Sequence, residues 1–285
     1  MLGTVAAVIL RILSNPFSNV LQKKLTLKGY EPLSINFLSY LGLSLFCILF
    51  LGQIDLLNTS LIAYKYAFIG GIFGALGNGF LISALEKGDL SVLGPINSYK
   101  SVVAMLFGIF ILKELPTVQG ILGIFLVIYG SYFVFGTQKE GFSIKLLKRR
   151  DILYRILALI FTAIEAVFIK KVIMFSDILT SFVFWCWFGM LFSFVMVILK
   201  RSLIKPIFSD LNKLILLVFT TAIMQLSTNY VFNKMNVSYA LALFQLSTIA
   251  VVIFGWKFFD EKDIKIKILG SSIMVLGSVL LILFN

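Results

Sequence analysis

Apolar runs of about 20 residues recur along the whole chain, the length a helix needs to cross the hydrocarbon of a bilayer. They cover 2–22, 33–52, 64–85, 91–112, 117–136, 152–175, 178–199, 213–233, 238–259 and 266–284. An open sheet could not satisfy its backbone in lipid, so each run is predicted as a membrane-spanning helix. The breaks between runs are short and carry turn residues: Lys28-Gly29-Tyr30-Glu31-Pro32, Gly52-Gln53, Lys87-Gly88-Asp89 and Glu114-Leu115-Pro116. One connection is longer. Thr137 to Asp151 holds Lys139, Lys145, Lys148, Arg149 and Arg150.

The pattern repeats. LEKGDLSVLGPINSYKSVVAMLFGIFILKE, residues 85–114, returns 147 positions later without a gap as FNKMNVSYALALFQLSTIAVVIFGWKFFDE, residues 232–261. Lys87 falls on Lys234, Ser91 on Ser238, Gly108 on Gly255 and Glu114 on Glu261. The same offset carries Gly42 to Gly189, Gly123 to Gly270, Gly130 to Gly277 and Lys23-Lys24 to Lys170-Lys171. The chain therefore reads as two copies of one unit, 1–140 and 148–285. Five spans per copy is an odd number, so the second copy enters the membrane from the opposite side. The predicted fold class is an all-α membrane protein of ten transmembrane helices arranged as two inverted five-helix repeats, a plan that places a substrate site near the midplane. Ala242 stands where the first copy has Pro95, which predicts a kink in only one of the two matching helices.

Composition agrees with lipid as the main solvent: 60% of the 285 residues are hydrophobic and 13% charged. The first run is too long for a signal-peptide core, contains Arg11 and ends in lysines, so no cleavable signal is expected. Cys47 and Cys186 fall mid-span and read as packing residues. There is no histidine, which removes the commonest metal ligand and general base. The net charge of +12 fits basic cytoplasmic loops better than nucleic-acid binding. Apart from Arg11 and Lys100, 23 Lys and Arg remain, and alternate loops with their helix ends hold 18 of them. The positive-inside rule puts those in the cytoplasm and both termini outside.

Three ionisable groups stand well inside spans: Arg11, Lys100 and Glu165. An intramembrane charge costs at least a few kcal/mol unless paired or wet, so each marks a candidate site. Lys100 shares a helix face with Asn97 and Ser101 and could hold an anionic group; a structural pairing with Glu165 is the competing reading. Arg11, near Asn15 and Asn19, could fork onto a carboxylate or phosphate, or reach to an interface along its long stem. Glu165 could take up a proton, or serve as a fixed counter-ion for Lys100 or Arg11. Thr221, Gln225, Thr228, Asn229, Gln245 and Thr248 could line a cavity or bond neighbouring helices. The aromatic run Phe182, Phe184, Trp185, Trp187 and Phe188 could wall a cavity or pack against lipid. Gly70, Gly74 and Gly77, with Gly123, Gly130, Gly270 and Gly277, read as close-packing faces. Glu114 and Glu261 are expected to cap the helix that follows each. Two cations against one anion favour an anionic or zwitterionic ligand over a cationic one.

The stretch Ala84-Leu85-Glu86-Lys87-Gly88-Asp89-Leu90-Ser91 through Pro95, followed by Leu112-Lys113-Glu114-Leu115-Pro116 and Gln119-Gly120, resembles the EamA domain of the drug/metabolite transporter superfamily. The resemblance spans the chain as two tandem domains. It implies a multi-pass protein of the cytoplasmic (inner) membrane that works by alternating access, as a monomer without a cofactor. The implied partners are a small-molecule substrate, the bilayer and, through Glu165, protons; small multidrug resistance relatives carry an acidic residue midway along their first helix. Tandem members keep both termini in the cytoplasm, opposite to the basic-residue count.

The function expected is a secondary transporter of a small polar or anionic metabolite (amino acid, carboxylate or phosphorylated compound). Its expected substrate-binding residues are Lys100, Arg11, Asn97, Ser101, Asn15, Asn19, Gln225, Gln245 and Thr248, with Glu165 for proton coupling. The alternatives are a flippase for a lipid-linked headgroup and a proton-coupled exporter of cationic drugs. A membrane enzyme is disfavoured because there is no histidine, no paired carboxylate set, no metal cluster and no nucleophile motif.

Overall fold

The computed structural model describes residues 2–100, 102–103, 117–141, 143–202 and 208–283. Among them every regular element is helical. In chain order these are α1 Leu2–Leu27, α2 Pro32–Phe46 with a 3₁₀ extension Cys47–Gln53, α3 Leu61–Lys87 and a short α4 Leu90–Leu93 followed by a 3₁₀ turn Pro95–Ser98. After them come α5 Val118–Gly136, α6 Arg150–Phe175, α7 Ile178–Lys200, α8 Leu211–Lys234, α9 Val237–Phe244, α10 Ser247–Phe259 and α11 Ile264–Leu283, with single turns at Ile144–Leu147 and Phe208–Asp210. Eight candidate spans are long and apolar enough to cross a membrane, α9 and α10 together supplying one of them, Tyr239–Phe259. The predicted run 266–284 forms α11. Of the predicted run 91–112 only the start is described; Ser101, Gly108 and the rest of 104–112 lie outside the described residues, as does Glu114.

The kink expected in one helix occurs in two. Pro95 interrupts the first copy's helix after Leu93, as a residue without an amide donor should. The matching helix of the second copy stops at Phe244 and resumes at Ser247 without any proline. There the Gln245 amide bonds both Leu241 O and Ala242 O, and Thr248 N bonds Gln245 O. Tightening to i→i−3 bonds breaks the ladder on its own, which is why the residue opposite Pro95 gave no warning.

Glycine sets how closely the helices approach. A Cβ on Gly130 would lie 2.5 Å from the Gly270 carbonyl oxygen, one on Gly270 2.6 Å from that of Gly130, and one on Gly277 2.6 Å from that of Gly123. Helices α5 and α11 thus run antiparallel, backbone against backbone. The contacts also respect the sequence repeat, since the offset that carries Gly123 to Gly270 carries Gly130 to Gly277. Between α3 and α6, Gly70 faces Phe168, Gly74 faces Glu165 and Gly77 faces Thr162. The equivalent contact joins α8 to α1, where Ser18 and Thr221 take the places of Glu165 and Gly74 and their hydroxyls lie 3.3 Å apart. Each copy therefore packs its first and third helices against the other copy. Cys47 and Cys186 are free, buried thiols in one apolar cluster with Phe182 and Phe232.

A buried polar knot ties the copies together at the start of α4. Glu261, in the α10–α11 turn, was expected to cap the helix after it. It reaches instead into the other copy and accepts the Leu90 and Ser91 amides, each at 2.7 Å. Those are orphan donors at a helix start, which a carboxylate satisfies well. Lys23 from α1 bonds Glu261 Oε1 at 3.0 Å and the Gly88 carbonyl at 2.9 Å, and Lys267 bonds Ser91 Oγ at 3.0 Å. Burial pushes the Glu261 carboxyl up, but the Lys23 ammonium and the Ser91 bonds leave it below its ordinary value. The repeat partner of Lys23, Lys170, bonds the carbonyls of Phe232 and Met235, and Met235 is the repeat partner of Gly88. A second cross-copy tie joins the α1–α2 turn to α8. There Lys213 and Lys28 hold the Asp210 carboxyl down at about 2.

Glu261→Gln should destabilise the protein by about 3–5 kcal/mol, the cost of leaving one partner of a buried pair uncompensated. The measurement is thermal unfolding in detergent, with Glu261→Asp recovering part of the loss. Gly130→Ala should cost about 3 kcal/mol, because its Cβ meets backbone that cannot swing aside. Gly136→Ala, with nothing within 4 Å of the added carbon, should be neutral or slightly stabilising in the same assay.

Candidate functional site

Both helix breaks open onto one internal cavity of about 120 Å³. Irregular backbone at membrane depth is tolerated where it lines such a cavity rather than lipid. Helix α1 contributes Arg11, Asn15 and Asn19 at four-residue spacing, hence on one face. The first break contributes Gly94, Asn97 and Lys100, and the second contributes Gln245, Ser247 and Thr248. Helix α8 adds Gln225 and Thr228, α6 adds Glu165 and Thr162, and α7 adds Trp185.

The structure thus gathers around one space the expected substrate-binding residues and Glu165, except Ser101, which lies outside the described residues. Thr221 and Asn229 fall behind this wall. Thr221 bonds Ser18, while Asn229 accepts Gln225 Nε2 at 2.9 Å and donates to the Ile178 carbonyl at 3.2 Å. Of the aromatic run only Trp185 reaches the cavity. Phe182 and Phe184 are fully buried in apolar clusters.

The charged side chains are held differently from one another. Arg11 donates Nε–H to Thr228 Oγ1 at 2.9 Å, and its guanidinium carbon lies 4.9 Å from the Phe244 ring centre. Its Nη1 is buried without a hydrogen-bond partner. Arg11 therefore turns inward instead of reaching to an interface. No hydrogen bond or ion pair reaches Lys100 among the described residues, although the residue is only 8% exposed. Glu165 accepts Trp185 Nε1–H at 2.6 Å. No ion pair joins Glu165 to Lys100 or Arg11 among the described residues, so the competing reading, a structural pairing, is not formed there. Gly74 makes the room for this carboxylate, since a Cβ there would lie 2.2 Å from Glu165 Oε1. Beside it, the Tyr40 ring packs tilted against that of Trp185, centroids 4.9 Å apart, and its hydroxyl accepts from Asn78 Nδ2 at 2.7 Å.

Sequence reasoning missed Arg155. It had been counted with the basic ends of the linker, yet it is 8% exposed and lines the cavity. Its Nε donates to the Leu93 carbonyl at 2.9 Å, a group freed by the Pro95 break, and its Nη2 to Asn97 Oδ1 at 3.0 Å. Asn97 passes the chain on to Gln245 Oε1 at 3.2 Å, linking the two breaks. Position alone could not separate Arg155 from a snorkelling helix-end residue; what decides it is the free carbonyl opposite, which belongs to the other copy. Among the described residues the cavity is lined by three basic side chains and one carboxylate.

The EamA-like transporter family profile matches residues 4–136 and again 149–283. The chain belongs to the EamA-like transporter family. No curated protein matches the sequence significantly. A protein of known crystal structure matches with a TM-score of 0.68 over 97% of this chain and 96% of the other, at 14% identity. At that identity the likeness concerns the fold alone. Family and helices together make this EamA-like chain a multi-pass membrane protein built of two tandem EamA domains. No group of metal-ligating side chains occurs among the described residues.

Proposed function

We propose that this EamA-like protein is a secondary transporter of a small anionic metabolite, a carboxylate, a phosphorylated compound or an amino acid. The observation that carries this reading is the charge of the cavity: among the described residues, Arg11, Lys100 and Arg155 face it against Glu165. A buried excess of positive charge is costly in a low-dielectric site, and an anionic ligand would offset it. We read the two domains as inverted repeats that give ten crossings. The antiparallel glycine contacts that follow the sequence repeat support this, as does the break of one helix per copy at the cavity. Alternating access would then require the contacts around Glu261 and around Lys170 to loosen in turn. We take the protein to act as a monomer in the cytoplasmic membrane.

A second reading is favoured by Glu165. A buried carboxyl with a Trp185 indole as its bond donor, and no ion pair among the described residues, is suited to gain and lose a proton. Proton coupling through Glu165 is compatible with anion transport.

Purified protein should be stabilised against heating by at least one of inorganic phosphate, succinate and L-glutamate, with a weaker response in Lys100→Gln. Stabilisation by choline alone would overturn the anion reading. Uptake of the stabilising anion into proteoliposomes should respond to an imposed pH gradient, and Glu165→Gln should lose that response. An unchanged response would reduce Glu165 to a hydrogen-bond partner of Trp185.

A further inference from the structure

We propose that the anionic group of the substrate is seated between Arg11 and Thr248, at the amino end of α10, and not on Lys100. The inference rests on the anion reading above and assigns the ligand's charged end to a place in the cavity. Two unsatisfied donors point to it. Thr248 is 1% exposed, lines the cavity, and has no hydrogen-bond partner for Oγ1. Arg11 lines the same cavity, and its Nη1 is likewise buried and unpartnered. A buried donor without an acceptor is uncommon in a folded protein and calls for an explanation.

The surrounding contacts hold the Arg11 guanidinium in place. One edge of the Arg11 guanidinium is fixed on Thr228 Oγ1. Thr228 is itself oriented by donating to the Met224 carbonyl at 2.8 Å. The face of the guanidinium lies over Phe244, the last residue of α9 before the break. Neither Nη nitrogen bonds a described residue, and Nη1 is the buried one of the two. Helix α1 packs along α9 and α10, so the side chains of Arg11 and Thr248 come from neighbouring elements of opposite copies. Helix α10 starts at Ser247, and its 13 residues aim the positive end of their dipole at this point. Two oxygens of a carboxylate, or of one face of a phosphate, would accept from Nη1–H and from the Thr248 hydroxyl.

The other cations are placed for different work. Arg155 gives Nε to Leu93 O and Nη2 to Asn97 Oδ1, so that edge of its guanidinium positions the first break. Lys100 is a point charge on a flexible stem, able to attract an anion without fixing its orientation.

The test uses the full-length protein in detergent, with dissociation constants for inorganic phosphate, succinate and L-glutamate read from ligand-dependent melting. Thr248→Val, which keeps shape and loses the hydroxyl, should weaken the binding anion about tenfold, the scale of one lost hydrogen bond to a charged group. Thr248→Ser should restore it. Arg11→Lys should also weaken binding, because a lysine keeps charge but not the fork. The Val variant's unliganded melting temperature should stay at the wild-type value, since its hydroxyl bonds nothing in the protein. Wild-type affinity in both Thr248→Val and Arg11→Lys, with loss in Lys100→Gln, would overturn this seat and leave the anion reading standing. Failure of all three anions to bind the wild type would overturn both.

Discussion

An amide or carbonyl group without a partner in hydrocarbon costs several kcal/mol, and this rule governs where the chain is allowed to leave the α-helix. Among the described residues, the breaks at Pro95 and at Gln245 both face the internal cavity. The carbonyl freed at Leu93 is taken by Arg155, and the amides freed at Leu90 and Ser91 are taken by Glu261. In each case the group that supplies the missing bond belongs to the other copy. The same bonds that make irregular backbone tolerable in lipid therefore also hold the two copies together. Site and scaffold are not separate layers in this protein.

Much of the scaffold is written locally. The helical runs follow from residue counts against bilayer thickness, and apart from 91–112, of which only the start is described, the structure finds helices within a few residues of where the apolar runs lie. Small residues at fixed spacing announced the close faces of α3, α5 and α11, because a missing side chain is visible in a sequence. What remained hidden depends on partners far along the chain. Glu261 looked like a cap for its own next helix, since nothing nearby reveals the amides of Leu90 and Ser91. The break at Gln245 carries no proline. Arg155 sat close enough to a basic linker to pass as part of it.

The candidate site divides in the same way. Intramembrane charge singled out Arg11, Lys100 and Glu165, and helical spacing drew in Asn15, Asn19 and Asn97, because cost and periodicity are properties of single segments. Which of these groups already has a partner is a tertiary fact. Glu165 is bonded to an indole where a cation was one of the readings, and among the described residues the two Nη nitrogens of Arg11 are left over after Thr228 has taken Nε. A list of polar residues becomes a description of a binding space only when spent and unspent donors can be told apart.

The internal repeat is kept in shape and abandoned in charge. Stepping by the repeat offset from Arg11 lands on Ala158, from Lys100 on Ser247, from Arg155 on Val8 and from Glu165 on Ser18. Not one of the four charges has a charged counterpart. If a single copy assembled with its own twin, every such group would enter the chamber twice, and no pocket with one guanidinium arm on one side and one acid on the other could arise. Joining the copies on one chain frees each half to drift, so that a ligand with unlike ends can be met in a single orientation.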